Sequence, residues 1–577
     1  MAEELRIIGP PGCGKTTELA RIAYGYGQDY GFERVMVCSL TKAAAAEIAG
    51  RNSMIPPQNI GTIHAFAWRS IGCPDRVVDS PNLIKEWNTW VDGAGYPEFV
   101  MNSGVDMDSV PLEATTDGAA KLFQDISICR ARFLDPADLS DQHQKFLDLW
   151  ENYKSETDGI DYMDMLYQAL EVPYAPGRPA VIMGDEMQDT PTVAMKLIRH
   201  WAEDEECRHL VTTGDPLQAL FCWAGSEWDA WLKPDIPSSQ KRVLHQSYRV
   251  PIAVRDVAMN WIAPLRTRAE ATFGQELVYE PRRAVVDASE DGIPVHGDLV
   301  AGSVEYTPHI RYRDPSTIIH TIEELLPQTR GEFNRYHGTY AERPVTIMVQ
   351  ASCAHMLLPL IGELRDLGIP FHNPWRRKNG SWNPLVRRKG TIVSAGDRIA
   401  AFLALQTEPM WSARQLWRWA EICTSAGLLA RGAKAKLEIA SSVGTTPLEP
   451  DGFFGYMDNV TVALDAMTAA QDGDLEWLSQ HLLDSRRYEY PIAVARRGLH
   501  LLDEQPQVIV GTIHSLKGSE ADIVLLFPDL ALAGMSDWLH DGEERDGSLR
   551  MFYVGMTRAA DTLMLCGSSA GSAVRWA

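Results

Sequence analysis

The sequence lacks the features of an exported or membrane-embedded protein. Its nine cysteines lie at positions 13, 38, 73, 129, 207, 222, 353, 423 and 566, without the close pairs of a zinc site or the dense spacing of a disulfide framework. The first residues, Met1-Ala2-Glu3-Glu4, are acidic, and no apolar run is long enough to span a bilayer. These absences predict a soluble, unsecreted, cytoplasmic protein with reduced thiols and no membrane partner.

The chain also lacks the positive charge typical of nucleic-acid-binding proteins. Its formal net charge is −23 at pH 7, although Lys and Arg supply most non-specific affinity for a phosphate backbone. The total does not exclude such a partner, because local charge matters more than the sum. One stretch, from Trp375 to Lys389, carries six cations within fifteen residues. It is typical either of a nucleic-acid contact or of a solvated loop.

What the chain does have is length and core-forming residues, and near its start a phosphate-binding loop. Its 577 residues are 45% apolar, which suits roughly three to five globular domains. The loop lies between an apolar strand and a helical pattern, and it consists of Gly9, Pro10, Pro11, Gly12, Cys13, Gly14, Lys15 and Thr16, with Thr17 next. The glycines let backbone N–H groups surround a phosphate, while Lys15 reaches the β- and γ-phosphates and Thr16 offers a hydroxyl to Mg²⁺. The sequence therefore predicts a nucleoside triphosphate site.

Two adjacent carboxylates follow a later apolar strand. The run from Ala180 to Gly184 leads into Asp185 and Glu186, and the carboxyl end of a strand is where a doubly wound sheet places its chemistry. Beside a phosphate-binding loop, Asp185 is expected to hold Mg²⁺, and Glu186 to orient and deprotonate the attacking water.

Other local patterns are weaker. Thr41 begins an alanine-rich helix whose free N–H groups suit a backbone phosphate. The stretch around Thr62, His64 and Phe66 joins small donors to aromatics that suit base stacking, although core packing is the more common role of such aromatics. Asp161 and Asp164 have helical spacing, which is more typical of a solvated helix face than of a nuclease site.

Six segments in order resemble the motifs of the Rep/UvrD/PcrA group of superfamily one helicases, in a compact, phage-type form. They read GPPGCGKT, DEMQD, GDPLQALFCWAGS, LHQSYRVP, VIVGTIHSLKGSE and MFYVGMTRA, and motif-bearing stretches lie in residues 5–68, 180–251 and 508–566. The resemblance implies an α/β fold with two RecA-like P-loop NTPase cores, each with a largely helical insertion. The implied first core is 1–70 and 176–245 with insertion 71–175, and the second is 246–395 and 505–577 with insertion 396–504.

The resemblance also implies roles for individual residues. Gln218 corresponds to the γ-phosphate sensor, Arg249 and Arg558 to the two arginines that reach the γ-phosphate from the far core, Tyr248 to the ring that stacks on adenine, and Glu520 to the ribose contact. Trp223 corresponds to the base-stacking tryptophan, and Thr62, His64, Thr512 and His514 to residues that line the DNA strand. ATP with Mg²⁺, and single-stranded and tailed duplex DNA, are the implied ligands.

The chain departs from the family pattern at several positions. It starts eight residues before Gly9, so the upstream segment that reads adenine is not seen, and use of GTP or other nucleotides stays open. Ala224 stands where an arginine usually follows the motif tryptophan, and Leu40 replaces a phenylalanine.

The function implied by the resemblance is an ATP-dependent helicase that moves 3′ to 5′ on single-stranded DNA, with replication, recombination and repair all open. Three alternatives remain: a translocase that strips proteins without unwinding, a DNA-binding accessory protein with a decayed motor, and a phosphate-loop kinase. Protein partners and the oligomeric state are not predicted.

Overall fold

The structure of the chain is a computed structural model. It describes residues 2–39, 54–78, 84–101, 118–288, 294–334, 339–376, 380–385, 393–442, 446–540 and 542–576. The strands are β1 (Glu3–Ile8), β2 (Val35–Ser39), β3 (Ile60–Thr62), β4 (Val181–Asp185), β5 (His209–Gly214), β6 (Lys241–Val243), β7 (Arg283–Ala288), β8 (Pro294–Leu299), β9 (Ser303–Thr307), β10 (Thr329–Asn334), β11 (Thr339–Pro344), β12 (Ile347–Ala351), β13 (Phe371–His372), β14 (Val508–Thr512), β15 (Ala521–Leu526) and β16 (Ala559–Cys566).

Helices connect most of these strands. They are α1 (Lys15–Tyr30), α2 (Ile63–Ser70), α3 (Ile84–Gly93), α4 (Gly118–Ala131), α5 (Asp141–Glu156), α6 (Tyr162–Leu170), α7 (Thr192–Ala202), α8 (Ile252–Phe273), α9 (Pro315–Leu325), α10 (Leu358–Asp366), α11 (Ala395–Leu403), α12 (Ala413–Ala420), α13 (Ala433–Ser441), α14 (Pro450–Phe454), α15 (Val460–Asp472), α16 (Leu475–His481), α17 (Ser485–Arg497), α18 (Leu532–Leu539) and α19 (Glu543–Met556). Within the described ranges, none of them combines the length and apolar character needed to cross a bilayer.

Two six-stranded parallel sheets organise the fold. The first has the order β3-β2-β4-β5-β1-β6 and the second β13-β14-β12-β15-β16-β9, and all pairings in both are parallel. Strands β2, β4, β12, β14 and β15 are buried along their whole length, which is why most of their residues are apolar. The predicted α/β class is confirmed, and the parallel sheets fit RecA-like cores.

We call the first sheet with α1, α2 and α7 the first core, and the second sheet with α9, α10 and α19 the second core. One buried apolar cluster contains Ile8 and Leu210 of the first sheet together with Met348 and Val524 of the second. Helix α8 contributes to the same cluster. The two cores are therefore joined by continuous packing, and the carboxyl edge of each sheet carries loops that reach the other.

Each sheet is interrupted along the chain by one group of helices, between β3 and β4 in the first sheet and between β13 and β14 in the second. Helices α3 to α5 enclose an aromatic cluster of their own, with Trp87, Phe146, Trp150 and Tyr153 buried within it. Helices α11 to α17 instead share one cluster with the second sheet, since Trp411 and Trp419 belong to the same buried set as Ile347.

A buried ion-pair network closes the first helical group. The Lys154 Nζ lies 3.1 Å from Asp161, 2.5 Å from Asp164 and 2.8 Å from Glu151, and Arg130 also pairs with Asp161 and Asp164. Asp161 is 3% exposed and forms a capping box with Asp164 at the start of α6. The expectation of a solvated face is wrong here. Because cations fill the space between the carboxylates, this cluster is an ion-pair network rather than a metal site.

We expect Lys154→Met to destabilise this helical group by about 3–5 kcal/mol, because it leaves a buried carboxylate short of a partner. Burial raises the pKa of Asp161, but Arg130 and Lys154 outweigh burial and bring it below its ordinary value. The destabilisation should therefore be present at neutral pH and shrink as the pH falls through the range in which Asp161 is protonated. Thermal unfolding of the full chain, followed by circular dichroism, measures it.

Lys121→Met is the matched control, since Lys121 is exposed and pairs with Asp125 one turn along α4 at 3.0 Å. Such a pair contributes about 0.3–0.5 kcal/mol. Equal shifts in melting temperature for the two variants would contradict the importance of the buried network.

A second network fastens the hairpin β10–β11 to the second core. Asp522, at the start of β15, is 2% exposed and receives hydrogen bonds from Arg330 and Arg343, one from each hairpin strand, and from Thr346. Burial raises the pKa of Asp522, but these partners outweigh it and hold the pKa well below its usual range. The sequence from 275 to 345 predicted neither this hairpin nor the other, β7–β8.

Candidate functional site

The phosphate-binding loop leaves the carboxyl end of β1 and ends where α1 begins at Lys15. Gly12 and Gly14 have φ values of 75° and 76°, in the left-handed region that favours glycine. A methyl group at Gly9 would lie 2.2 Å from the Cys13 Sγ. The loop is therefore a tight backbone cradle at a helix N-terminus, as anion binding requires.

Lys15 lies inside this cradle. It is 7% exposed, and its Nζ donates a hydrogen bond to the Gly9 carbonyl at 2.9 Å. Burial lowers the pKa of Lys15, but nearby negative charges, including those of Glu186 and Asp215, outweigh burial and leave it above the ordinary value. Lys15 is thus a fixed cation at the place where a triphosphate would bring negative charge.

Thr16 and Asp185 form a pair of oxygen ligands. The Thr16 hydroxyl donates to Asp185 Oδ2 at 2.8 Å, and the Thr213 hydroxyl donates to Oδ1. Burial, with the charge of Glu186, raises the pKa of Asp185. A cation bound at this position would lower the pKa of Asp185. A hydroxyl beside a carboxylate is a set of oxygen ligands that Mg²⁺ accepts. The predicted metal residues are therefore adjacent and suited to that ion.

Glu186 adopts an unusual backbone conformation directly after β4. Its φ of 55° and ψ of 41° are left-handed, although it is not glycine. Its carboxylate accepts a hydrogen bond from Gln188 Nε2 at 2.6 Å. Burial raises its pKa, but Lys517 and Lys15 outweigh burial and lower the pKa of Glu186 to about 2. Glu186 is ionised and aimed at the same space as Lys15.

A lysine from the second core reaches these carboxylates. The Lys517 Nζ forms an ion pair with Asp189, donates to the Gln218 carbonyl at 2.8 Å and lies 3.4 Å from Glu186. Lys517, Gln188 and Asp189 were not among the residues predicted to act in this site. Only their positions within the motif segments VIVGTIHSLKGSE and DEMQD could have indicated a role.

Arg558 makes the second contact between the cores. It is 1% exposed, and its Nη2 donates to Gln218 Oε1 at 3.1 Å. Burial and the like charge of Arg249 lower the pKa of Arg558 to about 9, which still leaves it charged at neutral pH. Gln218 Nε2 in turn donates to Asp215 Oδ2 at 2.7 Å. The structure therefore brings Arg558 and Gln218 together beside Asp215, a carboxylate that the sequence analysis missed.

Arg249 and Tyr248 lie against the phosphate-binding loop. The Tyr248 N–H donates to the Gly12 carbonyl at 2.8 Å, and the Tyr248 ring is 57% exposed and lies over Gly14. The Arg249 Nε forms an ion pair with Glu520. The Ser247 and Tyr279 hydroxyls both donate to the Pro11 carbonyl, at 3.0 and 3.1 Å. The exposed Tyr248 ring beside the loop suits stacking on a nucleotide base, and the Glu520 carboxylate beside Arg249 suits a contact with a ribose.

The residues predicted to contact DNA are more dispersed. Thr62 caps α2 by accepting a hydrogen bond from the Ala65 N–H at 3.2 Å, and His64 packs edge-on against Tyr162 at 5.7 Å. The Trp223 ring centroid lies 6.1 Å from that of Phe221, and no residue that the structure describes forms a hydrogen bond with the Trp223 Nε1.

Burial removes one member of the DNA set and limits others. Phe66 is 1% exposed and packs in the apolar cluster that joins the cores, with Arg69 4.5 Å from its ring. Its face is not available to a base, so the sequence interpretation of Phe66 is corrected. Thr512 and His514 are also buried in the arrangement described here.

Two predictions fall partly or wholly on residues that the structure does not describe. Thr41 lies outside the described ranges, as does Leu40. Of the cations from 376 to 389, only Arg376 is described, and it lies 4.8 Å from the Trp382 ring. Nothing about the remaining five follows from the structure.

A family model described as UvrD/REP helicase N-terminal domain matches residues 1–235 of the chain. That span contains the phosphate-binding loop, Asp185, Glu186, Gln218 and Trp223. No curated protein matches the chain.

Proposed function

We propose that this chain, whose residues 1–235 match the UvrD/REP helicase N-terminal domain, is an ATP-dependent helicase that moves 3′ to 5′ along single-stranded DNA. Hydrolysis takes place in the cleft between the two cores and drives their relative movement. The family match supports a DNA helicase that binds and hydrolyses ATP. Direction and strand separation are the parts that we add.

The observation that carries the proposal is the convergence of cations from the second core on the first. Lys517 contacts Asp189 and Gln218, and Arg558 contacts Gln218, across the cleft from Lys15. When ATP loses its terminal phosphate, the cations of the second core lose a partner that is bound to the first core. The distance between the two cores can then change. A kinase needs no such pair of distant cations, so this arrangement favours a motor.

Within the site, each residue has a distinct part. Lys15 and the loop amides bind the β- and γ-phosphates, Glu186 takes the proton of the attacking water, and Arg249 and Arg558 offset the charge that develops on the transferred group. Gln218 orients the water. Thr16 and Asp185 would hold Mg²⁺, which would supply positive charge beside the phosphate oxygens. Tyr248 stacks on the base and Glu520 binds the ribose.

We assign the domains as two RecA-like cores with helical insertions. The first core takes residues 1–70 and 176–245 with insertion 71–175, and the second takes 246–395 and 505–577 with insertion 396–504. The strand positions support this division, since β1 to β6 all fall in the first pair of ranges and the second sheet falls in the second pair.

The DNA strand would cross both cores. Trp223 supplies base stacking, worth roughly 1–3 kcal/mol per base, while Thr62, His64, Thr512 and His514 line the path. Burial lowers the pKa of His64 and of His514 to about 4, so both act as neutral hydrogen-bonding groups rather than as cations. Because Thr512 and His514 are buried, their contact with DNA requires the cores to move.

We expect single-stranded DNA to stimulate ATP hydrolysis, and a duplex with a 3′ tail to be unwound while one with a 5′ tail is not. The physical reason is that stacking and backbone contacts on a directional strand let the cores advance one way. Strand separation is measured with labelled duplexes of each polarity, with blunt duplex as the control.

Each other outcome has a definite meaning. Stimulated hydrolysis without unwinding of either substrate, but with displacement of a protein bound to the strand, would replace helicase activity by translocation. Hydrolysis indifferent to DNA would contradict the proposal and favour a phosphate-loop kinase. DNA binding without hydrolysis would indicate a decayed motor.

A further inference from the structure

Arg550 is a buried cation on α19 that the nucleotide site does not use. It is 1% exposed, and its guanidinium lies 5.4 Å from the Trp228 ring. Its Nη1 has no hydrogen-bond partner within the described ranges. Among the described residues, no carboxylate lies within ion-pair distance of it.

Two acids in the first turn of α19 are already engaged elsewhere. Asp546 pairs with Arg268 at 2.6 Å, and Glu543 pairs with Arg132 at 3.2 Å. A buried charge without a counter-ion is unfavourable by several kcal/mol. Stability therefore does not account for an arginine at this place, where an apolar side chain of similar volume would pack without that cost.

What Arg550 does contact is the segment that begins the Gln218 turn. Its Nε donates to the Pro216 carbonyl at 3.2 Å, across the boundary between the two cores. Arg558, which follows the same helix, donates to the Gln218 side chain at 3.1 Å. One rigid unit of the second core thus contacts both ends of a single three-residue turn, Pro216–Gln218, of the first core.

The same turn leads directly to the proposed DNA contact. Trp223 follows Gln218 by five residues, and Gly225 packs so closely on the end of α4 that a methyl group there would lie 2.5 Å from Ala131. The segment is therefore anchored at its far end, while its near end is held by Arg550 and Arg558. A displacement at Trp223 has to be taken up at the turn.

We propose that Arg550 is the positioning residue that couples DNA at Trp223 to turnover at Gln218. It touches neither ligand, and it acts by holding Pro216 so that movement of the tryptophan segment changes the place of the Gln218 side chain. The inference rests on the proposed function. The uncharged Ala224 stands where the family pattern has an arginine. Arg550 is a charged group that can link the nucleotide site and the DNA site in its place.

The experiment compares Arg550→Met with Arg550→Lys in the full chain. ATP hydrolysis is measured without DNA and with saturating oligothymidylate, together with the affinity for that oligonucleotide and the melting temperature. For Arg550→Met we expect the DNA-stimulated turnover number to fall about tenfold or more. The KM for ATP should change little, and the melting temperature should stay the same or rise. Arg550→Lys, which keeps a charged donor, should recover part of the stimulation.

Arg268→Met is the matched control, because Arg268 also meets α19 but is half exposed and pairs with Asp546 rather than with the Pro216–Gln218 turn. It should keep DNA stimulation within about twofold of wild type. Unchanged stimulation in Arg550→Met would overturn the inference. So would equal loss of basal and stimulated rates with a lowered melting temperature, which indicates a structural role. A wild-type chain that ignores DNA would overturn the proposed function and this inference with it.

Discussion

Glu186→Gln should lower DNA-stimulated ATP hydrolysis by about 10²–10⁴-fold, the usual contribution of a positioned general base. The amide keeps the size of the side chain and can still meet Gln188, whose Nε2 lies 2.6 Å from the carboxylate. What it loses is the negative charge that lies between Lys15 and Lys517 and the capacity to take a proton. Nucleotide binding should persist, because the loop and Lys15 are untouched.

Steady-state hydrolysis and binding of a fluorescent ATP analogue measure the two effects separately. Glu206→Gln is the control, since Glu206 is a half-exposed acid paired with Arg34 at 2.8 Å, away from the loop. Surface pairs of this kind contribute about 0–1 kcal/mol to stability. If Glu186→Gln turned over at the wild-type rate, the base would have to be sought at another carboxylate, Asp215 or Asp189.

For Arg558→Ala we expect a loss of about 10³–10⁵-fold in turnover, the range for an arginine that stabilises a phosphoryl-transfer transition state. The guanidinium is held by the Val554 carbonyl at 2.9 Å and by Gln218 at 3.1 Å, so it is preorganised opposite Lys15. Its removal leaves Gln218 without its partner from the second core. DNA affinity should fall much less, since Arg558 is buried away from the proposed strand path.

Arg558→Lys guards against a simple folding defect, because it keeps a cation in the same pocket and should fold with the wild-type melting temperature. It should still lose most of the turnover, as a lysine cannot reproduce the forked donors. Arg266→Ala removes a partly buried pair with Glu270 on α8 and serves as the control. Wild-type turnover in both Arg558 variants would contradict a role in the transition state.

The parts of the site that sequence predicts well are those built by short stretches of chain. The phosphate-binding loop needs glycines at fixed offsets and a strand and helix on either side, and all of this information lies within about twenty residues of Leu5. Asp185 and Glu186 likewise follow from one strand and its end. Local pattern also indicated strands where β1 and β4 occur.

Contacts between distant segments are what sequence did not supply. Lys517 and Asp189 are 328 residues apart, and nothing in either neighbourhood specifies that they meet. Asp161 and Asp164 have a spacing that fits exposed and buried helix faces equally, so only Arg130 and Lys154, brought in by other helices, decide the case. The burial of Phe66 likewise depends on the residues that pack around α2, which the local pattern does not specify.

The left-handed backbone at Glu186 lowers the stability of the fold and places a carboxylate in the nucleotide site. Left-handed torsions are unfavourable by about 1–3 kcal/mol for a residue with a side chain, whereas glycine adopts them freely. The substitution Glu186→Gly would relieve this backbone strain, but it would also remove the carboxylate. Selection for folding alone would then favour an inert protein, so the acid persists only while its reaction is needed.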